Sequence, residues 1–525
     1  MFVVKVPLSV VKQDESVLSS RFNVLTHFYN AILREALKRQ KKYVNSDDYQ
    51  KARVLFKEGK AKEDELAKLK DKKIRKIKRE EVKQILSRAK ELYKKAREEA
   101  GYRESDVVEF GYKNVRKSFI EEHTTANVCN NLSKRAFVAC DKLLKWDKGR
   151  KKANRVNFKS IKGPIHKRLL SITNGNSSSP ALKWRNNCIL WKGLNLKGKI
   201  DDNDPFHNVL KDNKVGEVKL VRKYVKNSWR YEAQLCINGN PPLKNRVLGV
   251  GEIGIDLGPT NIAFVTNKSA ALEPLCGELK NLTQNIKLLR RKIDRQRRKN
   301  NPDNFNENGT AKKGRQWIIS SRQKKSESKL REMLRKEKEY RACLHGIKIN
   351  KIRSEGDVAK LEKIDYTEWQ KRKKTSKGKK KQYGKSMGRH APGMFVEKLK
   401  KRFEATNGSV IEINPYKTKL SQTCPNCGKI QKKDLKERVH DCDVCGYKMN
   451  RDLTSALLAV ATTNDAVHAD KAKKLCQELG PLLQAAWTKN KSANRRCKSP
   501  SLETSQSGSP VSHSDAPPIE ECGEL

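Results

Sequence analysis

Hydrophobic positions change their spacing several times along the chain, and each change marks an element. Residues 2–10 read as a short strand. Over about residues 19–39, Phe22, Leu25, Tyr29, Leu33 and Leu37 fall at three- and four-residue steps, predicting a helix with one apolar face. Between residues 40 and 100 the apolar positions thin to Leu66, Leu69, Ile74, Ile77, Val82 and Leu86 among many Lys, Glu and Arg. That pattern predicts extended charged helices. A better packed helical stretch is expected at about residues 115–144. Short β-like runs follow at 155–158, 181–184, 188–191, 218–221 and 229–237, the last after a turn at Lys226-Asn227-Ser228. With the N-terminal strand these runs suffice to close a small barrel, interrupted by the helices of residues 20–145.

A new domain opens at residue 249. After Gly251-Glu252, the apolar strand Ile253-Gly254-Ile255-Asp256-Leu257 carries one acid, Asp256, inside it, and a turn at Gly258-Pro259 leads to a second strand at 262–266. A long helix is predicted at about 277–299, with Leu279, Leu282, Ile286, Leu289 and Ile293 on one side and Arg and Lys on the other. Residues 300–314 are rich in Asn and Gly and read as a mobile linker, and 326–352 as a second long helix. Residues 371–381 are mostly Lys and Arg, and the Ser-, Pro- and Glu-rich stretch after residue 491 reads as a disordered tail. No internal repeat is present.

Composition adds a partner to this picture. The chain has 525 residues, room for about two to four domains. Its 116 Lys and Arg against 60 Asp and Glu give a formal net charge of +56. Such an excess repels itself and calls for a large polyanion, of which nucleic acid is the simplest. A ribosomal or histone-like protein that only neutralises phosphate is the plainer alternative. Trp184, Trp191, Trp229 and Tyr231, interleaved with Lys and Arg, suit base stacking and equally a barrel core. The 13 cysteines are odd in number, and Cys129, Cys140, Cys236 and Cys343 show no pairing rhythm, which argues for a reducing compartment. No apolar run of about 18 residues exists, so no membrane span is expected. The N-terminus lacks a signal-peptide layout, and a cytoplasmic protein is the expectation.

Four of the cysteines stand in two tight pairs, Cys424-Pro425-Asn426-Cys427 and Cys442-Asp443-Val444-Cys445. Two such knuckles one ribbon length apart wrap a single structural Zn²⁺. Gly428 and Gly446 follow the second cysteine of each pair and let the knuckle turn through positive φ. His440 and Asp441 are close enough to substitute as ligands, but four thiolates close the site without them. Asp452 follows the ribbon and opens a helix through Leu453, Ala456, Leu457, Leu458 and Val460. With Asp256 it makes two acids, and a third belongs at the end of a later strand. Glu362, in Val358-Ala359-Lys360-Leu361-Glu362, and Glu412, in Val410-Ile411-Glu412-Ile413, both fit, and Glu355, Asp357 and Asp365 compete. Spacing alone leaves Glu362 and Glu412 open. Three gathered carboxylates repel unless cations neutralise them, and two Mg²⁺ ions about 3.5–4 Å apart do so while serving phosphodiester hydrolysis. Oxygen ligands select Mg²⁺ or Mn²⁺, whereas thiolates select Zn²⁺.

The motifs Gly254-Ile255-Asp256-Leu257-Gly258, residues 383–395, Thr418-Lys419-Leu420-Ser421-Gln422-Thr423-Cys424 and Asn450-Arg451-Asp452-Leu453-Thr454-Ser455-Ala456 resemble those of TnpB, the transposon-encoded RNA-guided nuclease. The compact type V CRISPR effectors share the layout. The resemblance is specific over about residues 250–465 and weaker before residue 250. It implies a multidomain α/β protein: an RNase H-like (RuvC) nuclease domain with an inserted zinc ribbon, and an N-terminal β-barrel (wedge) domain carrying a helical recognition insert. The expected boundaries are wedge barrel at 1–18 and 150–248, recognition lobe at 19–149, nuclease at 249–420 and 449–490, ribbon at 421–448 and tail at 491–525. The Asp256 hairpin is how such nucleases present their first metal-binding acid. The resemblance favours Glu362 as the second, because in this family that Glu ends the strand before the Gly-Lys-Ser segment. Extra length at residues 40–115 is similar to the recognition-lobe growth that separates CRISPR effectors from their transposon ancestors. Lys385 and Arg389 in the 383–395 motif, and Arg438 between the knuckles, are candidate nucleic-acid contacts. The implied activity is Mg²⁺-dependent, RNA-guided cleavage of double-stranded DNA, with guide RNA and target DNA as partners. A nuclease-inactive guided binder and an unguided transposase are the alternatives. Whether the guide derives from a transposon end or a CRISPR array stays open.

Overall fold

The structure is a computed structural model. It describes residues 1–66, 72–116, 118–144, 155–162, 165–174, 182–226, 228–239, 241–242, 248–375, 378–381, 383, 386–434 and 437–496. Leu69, Ala181, Asn227, Gly384, Lys385 and the stretch 497–525 therefore lie outside the described residues. The chain divides into two compact units, Met1–Pro242 and Leu243–Leu525.

The first unit runs β1 (Phe2–Ser9), α1 (Lys12–Asn45), α2 (Asp47–Leu66), α3 (Lys72–Glu99), α4 (Glu104–Arg116), α5 (Ile120–His123) and α6 (Ala126–Asp141). It continues through β2 (Ser171–Thr173), β3 (Lys183–Arg185), β4 (Cys188–Trp191), β5 (Leu194–Gly198), α7 (Pro205–Asp212), β6 (Val215–Val225) and β7 (Ser228–Ile237). The strands form one antiparallel sheet in the order β2-β6-β7-β1-β5-β4-β3. β1 changes partner along its length, pairing with β7 over Phe2 to Pro7 and with β5 at Leu8 and Ser9. β3 also lies against β6, so the sheet curls back on itself. Alternation decides which face is filled: Val4, Val6 and Leu8 of β1 point inward with Val218, Leu220, Ala233 and Leu235. Leu18, Phe22, Leu25, Ile32 and Leu33 of α1 join the same core.

Two of the four aromatics proposed for stacking belong to that core. Trp191 is 1% exposed and Tyr231 4%, so neither ring presents a face to a partner. Trp184 and Trp229 are half-buried. The buried Arg222 guanidinium lies 4.1 Å from the Phe22 ring and 4.6 Å from Trp229, which covers one face of Trp229. The sparse apolar pattern of residues 40–100 has a packing reason. α2 and α3 lie along one another through small residues, and a Cβ on Gly59 would stand 2.7 Å from Leu86.

The second unit runs β8 (Glu252–Leu257), β9 (Asn261–Val265), β10 (Ala270–Pro274), α8 (Lys280–Asn300), α9 (Ser321–Glu355), β11 (Val358–Glu362), β12 (Arg372–Thr375) and β13 (Gly378–Lys381). There follow α10 (Ser386–His390), α11 (Pro392–Glu404), β14 (Ser409–Ile413), α12 (Pro415–Thr418), β15 (Val439–Asp441), β16 (Lys448–Asn450), α13 (Arg451–Val460) and α14 (Ala469–Arg496). The main sheet has the order β10-β9-β8-β11-β14. β8, β9 and β10 form an antiparallel meander, and β11 and β14 run parallel to β8. One face carries Ile253, Ile255, Leu257, Ala359 and Leu361 against Ile352 of α9 and Phe395 and Phe403 of α11. The other carries Ala263 and Val265 against α13 and α14.

The expected linker at 300–314 is instead a hydrogen-bonded loop. Asn301 is 6% exposed; its Nδ2 donates to the carbonyls of Arg297 and Ile318, and its Oδ1 accepts from the Ile318 N–H. An Asn side chain that mimics a backbone turn supplies the order that composition hides. The Arg297 guanidinium packs 3.6 Å from the Trp317 ring, and Phe305 lies 5.4 Å from the same ring. α14 extends to Arg496, so the first residues assigned to the tail are helical. Among the described residues no helix is long and apolar enough to cross a membrane.

Candidate active site and cysteine cluster

Strand register gathers two of the predicted acids. β11 pairs with β8 in parallel, Lys360 opposite Gly254 and Leu361 opposite Ile255. One residue on, Glu362 stands level with Asp256. Both side chains lie on the face covered by α13, because their neighbours Ile255 and Leu361 fill the opposite core. The third acid comes from α13 itself. The Asn450 side chain accepts from the N–H groups of Asp452 and Leu453, at 3.0 and 3.2 Å, and so starts the helix there. Asp452 is thereby held in the first turn, where the helix dipole favours a negative charge.

The same parity separates Glu362 from Glu412. Glu412 pairs with Leu361 and therefore points to the Leu361 face, where its carboxylate binds Lys400 of α11 at 2.7 Å. The other competitors are engaged in local structure. Asp357 accepts from the Gly251 N–H, Asp365 from the N–H and hydroxyl of Thr367, and Glu355 from the Ser269 hydroxyl.

Two residues that sequence reading passed over set the spacing of the site. Gly254 lets α13 lie directly on β8, since a Cβ there would come 1.9 Å from the Ala456 carbonyl oxygen. A glycine inside an apolar strand signals such an approach. Lys360, 3% exposed, sends its ammonium to the carbonyls of Val460 and Thr462 and to Glu252 at 2.6 Å. It ties the C-terminal end of α13 to β8 and β11. A lysine in the middle of Val358-Ala359-Lys360-Leu361 was the available signal.

Electrostatics identify the acids as a group in need of positive charge. Burial pushes the Asp256 carboxyl well above the usual range, and the charges of Asp452 and Glu362 push it further, against Arg451 and Arg438. Burial raises Asp452 too, opposed by Arg438 and Arg451, and burial raises Glu362. Arg438 Nη1 stands 3.9 Å from Asp452 Oδ1 on an exposed side chain. Its place is fixed by the β15–β16 pairing and by its carbonyl, which accepts the Arg451 N–H at 2.9 Å. Asp256 and Glu362 accept no hydrogen bond among the described residues. Clustered carboxylate oxygens of this kind fit divalent cations that prefer oxygen ligands.

The cysteines form a tighter group. The four sulfurs of Cys424, Cys427, Cys442 and Cys445 lie within 4.8 Å of one another. Cys424 and Cys445 sulfurs are 3.5 Å apart, and those of Cys427 and Cys442 3.6 Å. A zinc tetrahedron with Zn–S of about 2.3 Å needs sulfurs about 3.8 Å apart, so the cluster fits Zn²⁺. Gly428 and Gly446 adopt φ of 72° and 68°, which the knuckle turns require. His440 is buried rather than grouped with the sulfurs. Of the remaining nucleic-acid candidates, Arg389 is half-buried on α10 and its carbonyl accepts from Arg341. Lys385 is outside the described residues.

Residues 393–458 match the family model of the Cas12f1-like TNB domain. This stretch runs from α11 through all four cysteines into α13 and contains Asp452. The TNB match agrees with the resemblance to compact type V effectors that the motifs carry. Among solved structures, the chain is similar to that of a Cas12f1–sgRNA–target DNA complex, with 12% identity and a TM-score of 0.36 over 88% of this chain and 98% of that one. A CRISPR-Cas12f ternary complex shows 13% identity and a TM-score of 0.29 over 88% and 87% of the two chains. The mini-RNA-guided endonuclease CRISPR-Cas_phi3 gives 13% identity and 0.28 over 51% and 55%. At such scores the strand order, the site geometry and the TNB match carry the weight. No curated protein matches the chain.

Proposed function

We propose that the protein is an RNA-guided DNA endonuclease of the TnpB and compact type V effector kind, with one RuvC-type site. The observation that supports this most is the grouping of Asp256, Glu362 and Asp452 on one face of a sheet ordered β10-β9-β8-β11-β14, the arrangement of an RNase H-like domain. The TNB match beside the third acid supports a guide RNA and a target DNA as partners. The curled sheet of the first unit is read as the wedge, holding RNA scaffold and flanking-motif duplex, and the helices α1 to α6 as the recognition lobe. Base pairing supplies sequence specificity, and the +56 charge supplies phosphate contacts.

Asp256, Glu362 and Asp452 hold the catalytic cations. Bound there, two divalent ions supply a polarised water and charge stabilisation at the leaving oxygen. Asn450 fixes Asp452, Lys360 fixes the distance of α13 from the sheet, and the exposed Arg438 reaches toward a phosphate of the scissile strand. The single site cuts the two DNA strands in turn. The cysteines bind one structural Zn²⁺ and keep Arg438 at the site.

The test uses protein purified with its co-purifying RNA. Nuclease treatment should abolish site-specific plasmid cleavage, and returning the RNA should restore it. Asp256→Ala, Glu362→Ala and Asp452→Ala should each retain guided DNA binding and lose cutting, while Glu412→Ala still cuts. Efficient sequence-specific cutting by RNA-free protein would sink the guided reading and favour an unguided transposase. Full cleavage by Glu362→Ala with loss in Glu412→Ala would show the second acid to be wrongly assigned.

A further inference from the structure

α8 and α9 leave a cleft of about 880 Å³ between them, within the size range of binding clefts. Its lining joins two chemistries. Leu288, Leu289 and Met333 are apolar, and Leu288 is 53% exposed. Arg291, Lys292 and Arg295 of α8 and Lys329 of α9 are cations. Asp294 in the same lining is taken by Arg298 at 2.9 Å, and among the described residues none of the four cations has an ion pair. Exposed apolar side chains beside unpaired cations fit a ligand that is apolar and anionic at once. Single-stranded nucleic acid supplies the anions but is held by aromatic rings under its bases, and no aromatic ring lines the cleft among the described residues. A duplex offers phosphates and leaves the leucines and Met333 unused.

The chain itself carries a segment of the matching chemistry. Residues 499–525 hold five acids, Glu503, Asp515, Glu520, Glu521 and Glu524, and no Lys or Arg, in a protein of net charge +56. Asp515-Ala516-Pro517-Pro518-Ile519-Glu520-Glu521 sets an apolar centre between acids. The reach suffices. Asn490 of α14 donates to the Leu272 carbonyl at 3.0 Å, so the last turns of α14 lie beside β10. α8 opens at Lys280, and the cleft residues Asn285 to Arg295 lie about 8–23 Å along it. Glu520 is 24 residues beyond Arg496, a length that extends to about 80 Å. We propose that the α8–α9 cleft is the docking site of the acidic segment 515–524 of the same chain, with Ile519 on the leucines and Met333 and the carboxylates on the four cations. The docked segment screens those cations from stray polyanions. The contact is independent of the nuclease chemistry.

Zero-length carbodiimide coupling of the RNA-free full chain tests it, because it joins carboxylates only to lysines they touch. Mass spectrometry should find Glu520, Glu521 or Glu524 linked to Lys292 and Lys329 in preference to other lysines. A tethered effective concentration of about 1 mM against an affinity of about 0.1 mM keeps the cleft about nine-tenths occupied. Ile519→Ser keeps every charge and loses apolar burial worth about tenfold in affinity, which brings occupancy and link yield to about half. The free cleft then rises from about one-tenth to one-half, so Ile519→Ser should bind an unrelated DNA duplex about fivefold more tightly without RNA. Links that are absent or spread evenly over the lysines overturn the proposal, as does an Ile519→Ser protein that matches the parent in both assays. Links found only between isotopically distinct chains would give the cleft to a second copy and overturn docking within one chain. Ultraviolet cross-links from RNA to residues 285–333, with no carbodiimide links in RNA-free protein, would give it to nucleic acid and overturn the proposal too.

Discussion

Replacing Gly254 by alanine adds one methyl group where α13 lies closest to β8. The new Cβ would stand 1.9 Å from the Ala456 carbonyl oxygen and 2.9 Å from both the Val460 nitrogen and its Cγ2. Ordinary carbon–oxygen contact begins near about 3.3 Å, so the helix must retreat by roughly 1.4 Å. The obstructing atom is helical backbone and has no rotamer to escape into. Asp452 sits one turn before Ala456 on the same helix, and Asp256 lies two residues after Gly254 on the same strand face. The displacement therefore opens the gap between two of the three acids directly. A misplacement of about 1 Å can cost about 100-fold in rate, or roughly 2.7 kcal/mol of barrier. Strand propensity argues the other way, since alanine in place of glycine is favoured by about 0.5–1 kcal/mol. The assay is single-turnover cleavage of a matched plasmid by saturating protein–RNA complex, with target binding and a thermal melt run beside it. The expected result is a loss of at least about 100-fold in the cleavage rate with guided binding kept. The double variant Gly254→Ala/Val460→Ala should not recover, because the carbonyl clash remains. Cleavage by Gly254→Ala within about threefold of the parent, about 0.65 kcal/mol of barrier, would refute the reasoning: the packing of α13 on β8 would not be what spaces the acids.

Two further outcomes follow from the cysteines and the acids. Metal analysis should find one zinc per chain, and Cys427→Ser or chelation should cost cleavage more than RNA binding, because the β15–β16 pairing that holds Arg438 against Asp452 loosens; normal cleavage by zinc-free protein would remove this role. The carboxyls of Asp256, Glu362 and Asp452 are raised in the folded state, so without cations the fold is steadied while they are protonated and loses that stability as pH rises through their raised values. Mg²⁺ should therefore raise the melting temperature more at alkaline than at acid pH, and Asp256→Asn should flatten the difference; an equal Mg²⁺ effect at all pH values would count against a cation site there.

Local patterns in the chain were enough for the features whose cause is local. The two cysteine knuckles declare themselves because a metal loop needs its ligands within a few residues. An acid inside the apolar run of β8, and another opening the apolar helix α13, marked Asp256 and Asp452 before any neighbour was known. Helical periodicity located α1, α8 and α9, and missed their ends by several residues, because fraying and caps rather than periodicity set the ends. Features made by distant segments were hidden. Asn301 orders its loop by reaching Ile318, and Trp191 and Tyr231 stay open between base stacking and a barrel core until α1 and the sheet close over them.

The sequence by itself determined the chemistry on offer: two knuckles of thiolate, acids in apolar settings, and a basic excess that only a polyanion satisfies. Only the tertiary structure decided which acids meet. Glu362 and Glu412 sit on adjacent strands with equal claims by spacing, and one residue of register sends one toward Asp256 and the other to Lys400 on the opposite face. A strand's side chains alternate with period two, so the face a residue occupies depends on the pairing between strands far apart in the chain. The same holds for Gly254 and Lys360, whose roles exist only once α13 is laid against the sheet.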